Sequence, residues 1–237
     1  MDAAMYKALS GAVAQMRRMD VTAQDMANSN TTGYKGDRLA FSEVLAERLP
    51  AEDRSGGWVA VADQRTQFSQ GGIQMTGNPL NLALEGDGVF VVETARGERY
   101  TRNGGFTLSP DGTIVTPQGD ALLGEGGPMQ ITGTTIEIAS DGTVKSEQGE
   151  IGRIRVVRFV NPDQVVKEGA NLFRAAPANV EEAPGARVVQ GGLEQSNVSP
   201  IDSMVSLISI NRQFEAYERA MKLMDSETEK IVADAGR

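Results

Sequence analysis

Heptad stripes at the two ends of the chain constrain its folding more than any other feature. Met5, Leu9, Ala12, Met16, Met19, Ala23 and Met26 recur at alternating spacings of 4 and 3, which places them along one seam of a helix. Leu207, Ile210, Phe214, Tyr217, Met221, Met224, Thr228 and Ile231 repeat the pattern near the other end, with Thr228 as the polar member. The residues that interrupt helices lie between the stripes. All nine prolines fall from Pro50 to Pro200, and 23 of the 27 glycines fall from Gly56 to Gly192. The pattern predicts an α+β chain, with long N- and C-terminal α-helices forming a coiled-coil-like pair and a central antiparallel β-rich domain.

The first helix is expected from about Asp2, which can cap it, to about Ala27. A rod of ~40 Å needs a partner for its seam to be stable in water. Asn28, Asn30 and Gly33 tolerate the left-handed backbone of a helix stop. The second helix opens on Ser199 as cap, Pro200 at the first helical position and Asp202 at the positive end, then runs without Gly or Pro to Ala235. From 36 to 74 the pattern is weak: an apolar cluster at Leu39, Phe41, Val44 and Leu45, and a loop around Ser55, Gly56 and Gly57. The middle is a run of short strands. Leu80, Leu82 and Leu84 alternate with Asn81 and Ala83, a Gly86-Asp87-Gly88 turn leads into Val89, Phe90, Val91 and Val92, and further turn signals recur at hairpin spacing. SPDGTIV at 109–115 is echoed by ASDGTVK at 139–145, which reads as two Asp-Gly hairpins. The expected divisions are an assembly helix with its following signature at 1–36, a connecting segment at 37–74, a β-rich domain at 75–192 and a second assembly helix at 193–237.

Chemistry is constrained by what is missing. The chain has no cysteine and no histidine, so thiolate or imidazole metal sites and every catalytic arrangement needing those groups are excluded. A net charge of −9 and a pI near 4.7, with no basic tract, argue against nucleic acid as a partner. No apolar run is long enough to span a membrane, so no direct membrane insertion is expected. The first twenty residues carry Asp2, Lys7, Arg17, Arg18 and Asp20 and offer no signal-peptide core. Taken alone, these features read as cytosolic. Gly86-Asp87-Gly88 is followed by a strand where a dinucleotide loop requires a helix, so no cofactor is expected. Asp87, Asp111 and Asp141 each sit beside a turn glycine, and bonding to their own backbone explains them without a substrate. Catalytic, cofactor and metal residues are therefore read as none. Eight of the ten methionines lie at 1–26 or 204–224, suited to adaptable packing. Periodicity leaves intramolecular pairing and assembly with other chains equally open.

The words that flank the helices resemble a known family. ANSNTTGYK at 27–35 closely resembles the signature of bacterial flagellar rod and hook proteins, with Ala27, Asn28, Asn30, Thr31, Gly33, Tyr34 and Lys35 matching and Thr32 standing where proline is frequent. TGNPLNLALEGDGVFVV at 76–92 and YTRNGGFTLSPDGTIVTPQGDALLG at 100–124 are similar to the family's β-rich core, with Asn81 replacing a common aspartate. LEQSNVSPIDSMVSLISINRQFEAYERAMKLM at 193–224 resembles its C-terminal signature through Leu193, Glu194, Ser196, Asn197, Val198, Arg212, Phe214 and Glu215.

The resemblance implies a structural subunit of the basal-body rod, most like the proximal-rod members, with the distal-rod members as the alternative. It further implies no enzymatic activity, a place in the periplasm-spanning rod, and export through the flagellum's own channel without signal cleavage. The implied partners are copies of the same chain, other rod proteins and the export apparatus, reached through the seam residues of the two helices. Readings of a different class are a soluble β-rich binding module and a glycan hydrolase.

Overall fold

The computed structural model describes residues 3–44, 58–131, 133 and 136–235, and the side chains of 3, 4, 6, 41–44, 58–62 and 228–235 lie outside that description. Asp2, Leu45, Ser55, Gly56 and Gly57 thus fall outside the described residues, as do the side chains of Phe41, Val44, Thr228 and Ile231. The chain forms two units. One draws on Met1–Ala27, Asp37–Arg65 and Ser199–Arg237, the other on Asn28–Gly36 and Thr66–Val198.

The first unit contains helix α1 (Ala3–Ala27), strands β1 (Asp37–Val44) and β2 (Trp58–Thr66), which pair with each other, and helix α2 (Pro200–Ala235). The β1–β2 pair replaces the weakly patterned stretch expected there. Val59 and Val61, with Trp58, are strand formers whose signal is split by the charged flanks. Asp25, near the end of α1, accepts the Asp37 backbone N–H at 3.2 Å, and Gln64 donates to Asp37 at 2.8 Å, so the strand pair is tied to α1. At the start of α2 the Ser199 carbonyl accepts the Ser203 N–H at 3.0 Å, as expected of the residue that precedes the helix.

The expected long coiled-coil pair is not formed. Leu9 and Met16, two of the large seam members of α1, are 49% and 52% exposed, and Ala23 is exposed as well. Among the described side chains of α1, the buried positions are Ala8, Gly11, Ala12, Ala14 and Val21, mostly small residues. Contact with α2 is made across this small face: a Cβ added at Gly11 would lie 2.7 Å from the Tyr217 ring. The reason is steric. A seam of large knobs holds helices apart at coiled-coil distance, whereas a Gly/Ala face lets an aromatic side chain settle directly on the helix. On α2, Ile210 is buried, and Leu207, Phe214, Tyr217, Met221 and Met224 are half-buried.

The second unit is the β-rich centre, antiparallel throughout its registered pairs. Its core strand is β5 (Val89–Thr94), introduced after β3 (Ile73–Met75) and β4 (Leu82–Glu85) and paired with β6 (Gly97–Thr101), with Ala121–Gly124 and with Val156–Phe159. Alternate side chains of β5 enter two different cores. Phe90 and Val92 pack with Leu82, Leu84, Phe106, Ile114, Leu122 and Val144, while Val89 and Val91 pack with Tyr100, Leu123, Val157 and Phe173. A strand covered on both faces requires the unbroken apolar run Val89 to Val92. Phe90 and Phe106 meet edge-on at 5.4 Å. On one border of this sheet Glu168 receives Arg99 Nε and Arg174 Nε, each at 2.7 Å. The Arg99 hydrogen bond is the main cause holding its carboxyl below the usual carboxylate range.

The echoed words at 109–115 and 139–145 form the same turn twice. Ser109 N–H and Ala139 N–H donate to Thr113 O and Thr143 O at 2.9 Å, and Thr113 and Thr143 hydroxyls donate to Asp111 and Asp141 at 2.9 and 3.0 Å. The Ser109 hydroxyl first, and then that of Thr113, holds the Asp111 carboxyl below its ordinary range, and the Thr143 N–H, followed by its hydroxyl, does the same for Asp141.

Among the described glycines of this unit, Gly104 makes the closest approach to other backbone. Leu82 N–H donates to Gly104 O at 2.9 Å, and a Cβ on residue 104 would fall 1.5 Å from the Leu82 carbonyl oxygen. Both atoms belong to backbone, so no side chain can swing aside. Gly104→Ala is expected to cost about 3 kcal/mol or more, read as a lowered urea midpoint; an unchanged midpoint would contradict this packing.

Candidate functional site: a buried ionic clasp

The two signature segments beside the helices come together in the second unit, and the residues that join them are charged. Lys35, Arg102 and Glu194 are 1%, 2% and 0% exposed. Lys35 Nζ donates to Glu194 Oε1 and to the Ser69 carbonyl, both at 2.6 Å, and Arg102 Nε lies 3.1 Å from Glu194 Oε2. The backbone completes the cage. Gly71 N–H donates to Glu194 Oε1 at 2.8 Å, and Arg102 Nη2 donates to Gly86 O at 2.7 Å. The Arg102 Nε approach to Glu194 Oε2 is an ion-pair contact, and among the described residues neither Glu194 Oε2 nor Arg102 Nη1 has a hydrogen-bond partner.

Local structure explains how these groups meet. After α1 the chain turns through Thr31 N–H to Asn28 O at 3.0 Å and Tyr34 N–H to Thr31 O at 3.2 Å. Gly33 then adopts φ +66°, donates its N–H to Glu194 O at 2.7 Å, and sits where a Cβ would be 2.4 Å from the Arg102 backbone. Glu194 itself belongs to the strand Gly192–Glu194, which pairs with β3 and so turns its side chain inward opposite Ile73. Asn197 locks the other side: its Oδ1 accepts Gly36 N–H at 2.8 Å and its Nδ2 donates to Gln67 O at 2.8 Å and Ser69 Oγ at 3.0 Å. A hairpin turn adds two clamps. Lys167 lies 4.7 Å from the Tyr34 ring centroid and donates to Lys35 O, and Asn171 donates to Thr32 O at 2.9 Å.

Burial pushes the Lys35 ammonium below its ordinary value, against the Glu194 hydrogen bond and charge that raise it; the nearby Arg102 adds to the lowering. Burial likewise depresses Arg102, with Glu194 and Asp87 opposing. Two cations face one carboxylate, so releasing the Lys35 proton relieves the excess positive charge.

Of the expected signature residues, the structure brings together Gly33, Tyr34 and Lys35 with Ser196, Asn197 and Val198. Ser196 Oγ accepts Val198 N–H at 3.1 Å, shaping the exit toward α2. Ala27 and Asn30 are exposed, and Arg212 and Glu215 are exposed on α2. Met5, Met19 and Met26 of the α1 stripe are half-buried and Ala12 is buried. Sequence reasoning missed Arg102, Ser69, Lys167 and Asn171 as parts of the site. The available signal was Arg102 in Tyr100-Thr101-Arg102-Asn103-Gly104-Gly105, a cation in a run that passes from a buried strand into a glycine turn.

An open groove of about 600 Å³ elsewhere in this unit is lined by Glu93, Glu98, Glu125 and Glu182 around Arg155. The Glu98 and Glu125 side chains are 47% and 63% exposed, and Arg155 pairs with Glu98 at 2.9 Å. All four carboxylates are exposed to solvent, unlike a general acid for glycan cleavage, which sits in an apolar pocket.

Comparison with known proteins gives matches along the chain. The family described as "Flagella basal body rod protein" matches residues 5–35, "Flagellar hook protein FlgE/F/G D1 domain" matches 83–146, and "Flagellar basal body rod FlgEFG protein C-terminal" matches 189–233. The flagellar basal-body rod protein FlgF of Caulobacter vibrioides is 37% identical over 239 residues, covering 97% of this chain and 95% of the relative. FlgF of Salmonella typhimurium is 33% identical, with 95% of each chain covered. FlgG of Bacillus subtilis is 30% identical, covering 96% of this chain and 97% of the relative.

The clasp predicts an asymmetric response to mutation. Glu194→Ala leaves two buried cations without their shared carboxylate and is expected to cost about 3–5 kcal/mol in urea unfolding. Lys35→Met leaves Arg102 facing Glu194 and is expected to cost clearly less; the reverse order would contradict the arrangement. A pH dependence follows from Lys35. Between its lowered pKa and the ordinary 10.5, the unfolded chain holds the proton and the folded chain does not, so stability rises with pH across that window. The urea midpoint of the native protein should therefore gain on that of Lys35→Met as pH is raised toward 10. A difference independent of pH would show that Lys35 is not the titrating group.

Proposed function

This chain belongs to the flagellar basal-body rod protein family, and from that membership we propose that it is a structural subunit of the rod, of the FlgF type. The carrying observation is the likeness to FlgF proteins at 33–37% identity along nearly the full length of both chains. The FlgG type of rod subunit is the second reading, favoured by the B. subtilis relative that covers 97% of its own length. The subunit joins other copies of itself and other rod proteins and sits in the basal body, where the rod crosses the periplasm. It leaves the cytoplasm through the flagellar export apparatus without signal cleavage, and it performs no catalysis.

The geometry suits a load-bearing part. The clasp ties 33–36 to 194–197 through one buried carboxylate and several backbone bonds, so a pull on either terminal segment is shared by two routes through the chain. Torque transmission needs such stiffness and no active site. In this reading 1–36 and 193–237 serve assembly, 37–74 connects, and 75–192 is the body of the subunit. Among the described residues no helix is long and apolar enough to cross a membrane.

Electron microscopy of basal bodies from a strain lacking this chain, beside the complemented strain, tests the reading. The expected result is loss of the rod beyond a stub, restored by complementation, with the stub length separating the FlgF type from the FlgG type. Rods of normal length without the chain would overturn it.

A further inference from the structure

Arg102 borders a cavity of about 180 Å³ in the second unit, together with Asp87, Arg158 and the apolar side chains of Phe68, Val89 and Phe159. The space is comparable to a cavity of ~150 Å³ that admits benzene. Phe68 and Phe159 stand 5.1 Å apart between ring centroids and Val89 is buried, so one wall is apolar. Asp87 and Arg158 are exposed and stand where the cavity meets solvent.

Arg102 brings an unused donor to this space. Its Nε faces Glu194 Oε2 at 3.1 Å and its Nη2 donates to Gly86 O at 2.7 Å, while the buried Nη1 has no hydrogen-bond partner among the described residues. The guanidinium is planar, so the bond from Nη2 to Gly86 holds Nη1 beside the wall that Asp87 continues. A buried donor left unpaired is costly, and the clasp already sets two cations against one carboxylate. Burial depresses the Arg102 guanidinium below its ordinary value, the mark of a cation short of compensation. A negative charge at Nη1 answers both deficits. Water answers neither well, because it needs two to four polar partners and Phe68, Val89 and Phe159 offer it no side-chain group. A phosphate dianion is opposed by the Asp87 charge and has no use for an apolar wall.

We propose that this cavity binds a monocarboxylate on a short aliphatic stem, the carboxylate accepting from Arg102 Nη1 and pairing with Arg158 while the stem lies against Phe68, Val89 and Phe159. Arg158 is free to take part, since its present partner Glu181 forms an exposed ion pair that holds it weakly. Two sources share this chemistry, a free short-chain acid and the Glu side chain of a neighbouring protein. The site goes beyond the rod-subunit reading and does not depend on it, because every group that builds it belongs to this one chain.

Butyrate is the probe and butyramide its uncharged counterpart of similar shape, each titrated into the full-length chain while the Arg102 Nε–H resonance is followed by NMR. The expected result is a saturable shift at millimolar butyrate and none with butyramide. Two exposed positions report the site and leave the clasp in place: Arg158→Gln weakens butyrate binding about threefold, and Asp87→Asn, which removes a repelling charge, tightens it by about the same factor. Absence of a saturable shift, an equal response to butyramide, or binding indifferent to both substitutions overturns the proposal. The source of the carboxylate is read in basal bodies of a complemented strain carrying Arg158→Glu. Loss of that variant from basal bodies, while the purified variant stays folded, assigns the carboxylate to a neighbouring protein; normal incorporation assigns it to a free acid. Because butyrate is titrated into the isolated chain, its failure to bind leaves the rod-subunit reading standing, and absence of the native chain from basal bodies overturns that reading alone.

Discussion

Glu194 has no exposed surface, yet it faces Lys35 and Arg102, two cations drawn from parts of the chain far from it in sequence. Removing three charges from water costs several kcal/mol per ion unless geometry and hydrogen bonds compensate. The second unit supplies that compensation from backbone: the Ser69 carbonyl for Lys35, the Gly71 N–H for Glu194 and the Gly86 carbonyl for Arg102. Each of these loops is consequently held to one conformation. The N-terminal signature, the loop before β3, the turn before β5 and the end of β6 are all positioned around a single carboxylate. An apolar plug of equal volume would tolerate sliding, while a Lys–Glu bond at 2.6 Å does not. That is a physical reason for charge in a place where a leucine would cost less.

The helical unit follows a different rule. There the closest approach is made by small residues, and an aromatic ring rests where Gly11 provides no Cβ. Burying Ala8, Gly11, Ala12 and Ala14 removes less apolar area than burying methionines would, so the helix pair leaves large side chains in solvent. Exposed Leu9, Val13, Met16, Ile201, Met204 and Ile208 are unfavourable for an isolated chain and suited to one whose surroundings are other protein. The small residues that pack inside the unit and the large apolar residues left in solvent therefore lie on different faces of the same helices.

Much of the second unit was legible from local pattern. The run Val89 to Val92 announces a strand buried on both sides, and the Asp-Gly echoes announce two equal turns, because these depend on neighbours within a few residues. The helix limits were legible for the same reason, from Ser199-Pro200 at one end and Asn28 to Gly33 at the other. The strands at 37–44 and 58–66 were not, since charged residues dilute their alternation. In the site, Gly33, Lys35, Glu194 and Asn197 stood out as words of a resemblance without a physical role attached. Arg102 did not stand out at all, because a lone arginine in sequence carries no mark of burial.

The sequence by itself determined two terminal helices, a β-rich middle, the chemistry closed off by having neither cysteine nor histidine, and the family to which the chain belongs. Those conclusions rest on spacing, composition and wording, which are properties of contiguous residues. Only the tertiary structure decided which face of each helix is covered and which charges are buried. A heptad stripe is satisfied equally by a partner in the same chain or in another, and it cannot weigh large knobs against a smooth Gly/Ala face. The pairing of Lys35 with Glu194 spans 159 positions. Nothing local encodes such a bond; it exists because folding brings both charges into a space too dry for either to remain alone.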